Sequence, residues 1–124
     1  MIQDHTREQS YVSIVLAIYT ALPETPTRAR TADRKLAQSW NQSGITLEVV
    51  ESALLLGQLR RLARPPDYPK LTPIRSLHYF VPVIEEVLEK PLPEGYVEYM
   101  KSKLRILNDR MLGSTLAIGG QTGS

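Results

Sequence analysis

The sequence predicts an all-α fold: a compact bundle of four to five helices with a central apolar helix at about residues 46–64. Three observations predict it. Apolar residues recur at i, i+3, i+4 and i+7 along most of the chain. No stretch alternates apolar and polar residues long enough for a strand, and no Asn-Gly or Asp-Gly hairpin turn occurs. All nine prolines lie between Pro23 and Pro93, mostly where the helical patterns stop.

A first helix is expected from about Thr6 to Leu22, with Tyr11, Ile14, Val15, Ile18 and Leu22 as its buried stripe. Pro23 and Pro26 end it. A short second helix starts at Thr31, read as its N-cap, with Asp33 in the first turn where the helix dipole favours an anion. Leu36, Ala37 and Trp40 give it an apolar face, and Gly44 suits the left-handed position after its end. Thr46 caps the third helix, with Ile45 stapling against Val50. This helix is apolar on almost every side, which places it at the centre, and Arg60, Arg61 and Arg64 cluster at its end.

Pro65-Pro66-Asp67-Tyr68-Pro69 reads as a stiff extended loop. Thr72 then caps a fourth helix with Pro73 at its first position. Ile74, Leu77, Phe80 or Val81, Ile84, Val87 and Leu88 make its buried stripe. Pro82 bends this helix, or two helices meet near Val81. Pro91-Leu92-Pro93 is the next break, followed by a fifth helix from about Glu94 to Met111 with Tyr96, Met100, Leu104, Leu107 and Met111 on one face. Tyr79, Phe80, Tyr96 and Tyr99 are read as core aromatics.

At 124 residues and 42% hydrophobic content, one domain with a real core is expected over 1–112, followed by a flexible tail over 113–124. The absence of Cys excludes disulfides, thiolate metal sites and Cys nucleophiles. There is no apolar run long enough to span a membrane and no signal-peptide pattern at Met1–Ser10, so a cytoplasmic protein is expected.

Catalytic groups are sparse. His5 and His78 are the two imidazoles, and neither has partners in sequence. Glu85, Glu86 and Glu89 fall on one helix face, which reads as a solvated acidic surface rather than a metal site. Phosphate-loop, nucleophile-elbow and zinc-protease patterns are missing. No enzyme activity, metal or cofactor is expected.

The net charge of +2 hides a segregation. Residues 28–75 hold nine basic residues against four acids; residues 76–99 hold five acids against Lys90 alone. The nine are Arg28, Arg30, Arg34, Lys35, Arg60, Arg61, Arg64, Lys70 and Arg75, and they are the candidates for contacts to nucleic-acid phosphates. The structural reading of the same residues is that Arg60, Arg61 and Arg64 meet the carbonyl end of a helix dipole and cover apolar surface.

The segment Leu36–Leu56, with a tight turn at Ser43-Gly44, has the outline of a helix-turn-helix. Glu48 and Glu51 stand where the second helix would meet DNA, and carboxylates there repel phosphates. Ordinary helical packing is the competing account.

Two stretches carry a resemblance. They are Gly44-Ile45-Thr46-Leu47-Glu48-Val49-Val50-Glu51-Ser52-Ala53-Leu54 and Ile74-Arg75-Ser76-Leu77-His78-Tyr79-Phe80-Val81-Pro82-Val83-Ile84-Glu85-Glu86. Together they resemble a module of bacterial proteins of mobile elements and replication initiation, in which G-I-x-L-x-x-V leads through a basic linker to I-x-S-L-x-Y-F-x-P-x-I-x-E. Residues 31–90 are also similar to the C-terminal helical module of DnaD-like primosome proteins. Tyr79, Val83 and Val87 keep the i, i+4, i+8 spacing of that module, but no Trp ends the run. The resemblance implies an all-α architecture and a binding role near DNA. It identifies no DNA-contacting residue.

The expected function is a non-enzymatic DNA-associated accessory protein, a replication or mobile-element factor. The alternative is a protein-interaction or homo-oligomerisation module. In that case the acidic 76–99 stretch pairs with basic surface of another chain, or the fifth helix forms a dimer seam.

Overall fold

The computed structural model describes residues 2–107, with side chains from residue 6 onward. The described residues hold five α-helices, one 3-10 turn and no strand, so the all-α bundle holds. The helices are α1 (Ile2–Ala21), α2 (Thr31–Gln42), α3 (Leu47–Leu62), α4 (Val81–Glu89) and α5 (96–107), and the 3-10 turn spans Leu77–Phe80. The expected tail at 113–124 and the stripe position Met111 lie outside the described residues.

In α1 the buried residues are Tyr11, Val12, Val15, Leu16 and Tyr19. The expected stripe is therefore rotated, and Ile14 is 44% exposed. The two tyrosines explain the rotation, since each large ring removes more apolar surface from water than an isoleucine does. Tyr19 meets Phe80 edge to face, with ring centroids 6.3 Å apart. Tyr11 anchors its ring by donating its hydroxyl to the Ile45 carbonyl at 2.8 Å.

The start of α2 is one residue earlier than expected. Arg30 is the N-cap, and its backbone N–H donates to Asp33 Oδ2 at 2.9 Å. The end of α2 is as read. Gly44 has φ +78°, the Ile45 amide donates to the Trp40 carbonyl and the Gly44 amide to the Asn41 carbonyl. Thr46 then caps α3, its hydroxyl accepting from the Val49 amide at 3.3 Å.

The central place of α3 is confirmed. Val50, Ser52–Gln58 and Arg61 are all buried. The helix packs against α1 on one side and α4 on the other, with α2 lying on α1. A Cβ on Gly57 would stand 2.8 Å from Phe80 Cε1, so this glycine is what lets the Phe80 ring lie on the helix.

The fourth helix corrects the sequence reading. Residues 71–76 are not helical, and α4 proper begins only at Val81. Ser76 caps the 3-10 turn by accepting from the His78 amide at 3.1 Å. Pro82 thus bends nothing, because in the first turn of α4 its missing N–H has no partner to lose. The alternative of two segments meeting near Val81 is the one observed. Tyr79 and Tyr99 are exposed rather than core, whereas Phe80 is fully buried. In α5, Met100 and Leu104 reach the core, while Tyr99 and Ile106 are exposed.

Candidate nucleic-acid interface

Asp33 organises one end of α2. Its side chain is buried (the residue is 1% exposed) between α2 and the 3-10 turn. Oδ2 accepts the Arg30 amide, Oδ1 accepts the Leu77 amide at 2.9 Å, and the Ser76 hydroxyl lies 3.5 Å from Oδ1. Arg30, Arg34 and Arg75 are each within three residues of a member of this set, so the clasp gathers three exposed cations at the N-terminal end of α2. Cations normally avoid that end of a helix, because the macrodipole is positive there. Gathering them there favours an external anion.

Arg28 and Arg34 border the same shallow surface on α1, shared with Ser13, Ala17 and Thr20. Lys35 is exposed on α2 and Lys70 is exposed on the proline loop. Among the described residues, Arg28, Arg30, Arg34, Lys35, Lys70 and Arg75 form no ion pair.

The arginines at the end of α3 behave otherwise. Arg60 makes a two-armed pair with Glu86 on α4, one arm at 2.8 Å. That hydrogen bond holds the Glu86 carboxyl below its ordinary range and the Arg60 guanidinium above its own. Arg61 is inside the molecule, its side chain 4% exposed. It donates to the Thr72 carbonyl at 2.8 Å and to Glu24 at 3.3 Å, and lies 5.4 Å over the Tyr79 ring. Arg64 donates to the Pro69 carbonyl at 3.1 Å and stacks 5.2 Å from the Tyr68 ring. The basic residues between 60 and 75 therefore do not form a single free surface. Arg61 is a structural arginine, while Arg60 and Arg64 already have partners.

The proline loop is tied more tightly than a simple extended segment. The Tyr68 amide donates to the Pro65 carbonyl at 3.1 Å, closing a turn. Upstream, Glu24 adopts φ +64°, rare for a side chain of its size, and its carbonyl accepts the Ile74 amide at 2.8 Å. Glu24, Asp33 and Gly57 were not singled out for these roles by sequence, since their partners lie far along the chain.

The helix-turn-helix outline is present in the α2–Gly44–α3 backbone, but α3 is too deeply packed to enter a groove. Glu86 is engaged by Arg60, and among the described residues no three of His, Cys, Asp or Glu gather around a metal position. No described helix is long and apolar enough to cross a membrane. Comparison with family models, with curated proteins and with solved structures gave no match.

Proposed function

We propose that this chain is a non-enzymatic, cytoplasmic accessory protein that binds nucleic-acid backbone, in the manner of a replication or mobile-element factor. The carrying observation is the set of six exposed cations without an ion pair among the described residues, three of them gathered at the positive end of α2. The resemblance of residues 31–90 to DNA-associated helical modules supports the same reading. Binding is through phosphates and reads sequence weakly.

The test is a salt titration with duplex and single-stranded DNA. Binding at about 50 mM salt should weaken steeply with added salt, by about 0.7–0.9 in log–log slope for each phosphate contacted. A triple variant, Arg30→Glu with Arg34→Glu and Arg75→Glu, should lower affinity at least tenfold. No binding at low salt to either DNA form rejects the proposal.

A further inference from the structure

A groove of about 660 Å³ runs between α3, α4 and the start of α5. Glu48, Glu51, Glu94 and Glu98 line it, and Val49, Val87, Leu88, Leu92 and Val97 supply apolar surface. Leu88 is left 48% exposed there. Glu48, Glu94 and Glu98 have no ion-pair partner among the described residues, and Glu51 has only a 3.6 Å contact with Lys101. Ser52 also borders the groove. It is 6% exposed. Clustered carboxylates repel one another. That repulsion and the exposed apolar surface at Leu88 point to an occupant that is cationic at its edge and apolar at its centre.

The chain itself carries such a face. Ile14 stands exposed on α1. Its helix neighbours Ser13 and Ala17 share a surface with Arg28 and Arg34. An exposed aliphatic side chain on α1, and two cations on the surface that Ser13 and Ala17 share, complement an apolar groove lined by glutamates in polarity and charge.

We propose that the groove receives the α1–α2 face of a second copy of this chain, with Ile14 entering the apolar floor and Arg28 and Arg34 meeting the glutamates. The two patches are different surfaces, so the contact is head to tail and extends beyond a dimer. Arg28 and Arg34 are also among the proposed phosphate contacts, so self-association is measured in the absence of nucleic acid, where its failure leaves DNA binding untouched.

Light scattering and sedimentation of the full chain test it. At about 50 mM salt, mass should rise with concentration beyond a dimer, and about 0.5 M salt should return it toward monomer. The groove variant, Glu94→Lys with Glu98→Lys, should stay monomeric. So should the face variant, Arg28→Glu with Arg34→Glu. Mixing the two should restore association, because each supplies the charge that the other needs. Circular dichroism checks that both variants are folded; if either is not, Ile14→Asp replaces it and should lower association of the wild-type contact at least tenfold. A wild-type monomer at about 100 µM in low salt overturns the proposal, as does a folded pair of variants that fails to associate on mixing.

Discussion

The carboxylate of Asp33 and the backbone amide of Leu77, 44 residues apart in sequence, are joined by a buried hydrogen bond of 2.9 Å. The same side chain caps α2 through the Arg30 amide. One residue therefore starts a helix and docks the segment that precedes α4. Asp33→Ala should remove a cap and leave the Leu77 amide buried without a partner. The expected loss is about 3 kcal/mol, read as a shift in denaturant midpoint. A loss under about 0.5 kcal/mol would show that water replaces the carboxylate.

Gly57→Ala sets two effects against each other. Helix propensity favours alanine by about 1 kcal/mol. The new methyl, however, would sit 2.8 Å and 2.9 Å from two atoms of a fully buried ring, Phe80. Overpacking of that kind costs about 1–3 kcal/mol, so the variant should be destabilised in thermal or denaturant unfolding. Pairing it with Phe80→Leu should recover part of the loss.

Tyr19 carries a pH dependence. Burial, reinforced by the negative charge of Asp33, pushes its phenol up to about 12, against an ordinary value of 10.0. The native state thus holds this proton more tightly than the unfolded chain. The contribution is complete below about pH 10 and is lost as pH rises toward 12. Tyr11 is also raised to about 12 by burial, so Tyr19→Phe should reduce the alkaline fall in stability without abolishing it. The Tyr19 hydroxyl has no hydrogen-bond partner among the described residues, so the same variant should be more stable at neutral pH by about 1 kcal/mol. Unfolding curves at pH 7 and pH 11 read both effects.

The parts legible in sequence were those set by neighbours. The Gly44 turn and the Thr46 cap each depend on residues within five positions, and both are found as read. The fourth helix failed because Pro73 and Pro82 each satisfy the rule for a helix start, and local chemistry does not choose between them. Packing chooses: beginning at Val81 lets Leu77 reach Asp33 and Phe80 reach Gly57. In α1, periodicity gives the right helix and a face that shares Tyr11 and Val15 with the buried one but is rotated, since Ile14 and Tyr19 compete for burial and only tertiary contact with Phe80 decides. Arg60 and Arg61 show the same limit at the candidate site. They are adjacent in sequence and identical in charge, yet one is half-exposed beside Glu86 and the other lies under the 71–76 segment. What is left without an ion pair among the described residues is Arg28, Arg30, Arg34 and Lys35 around α2, together with Lys70 and Arg75.

The turn at Pro65–Pro69 has a consequence for chain continuity. Every one of its residues is exposed, and its bonds run to its own backbone or to Arg64 beside it. The contacts that hold one helix to another lie elsewhere, at Asp33, Tyr11, Arg60, Arg61 and the rings of Tyr19 and Phe80. A protease nick in that turn would sever the covalent link and leave the interhelical bonds in place, at the entropic cost of holding two fragments together. Residues up to Arg64 and residues from Lys70 onward then behave as complementary halves of one core, with α3 in one half and α4 in the other.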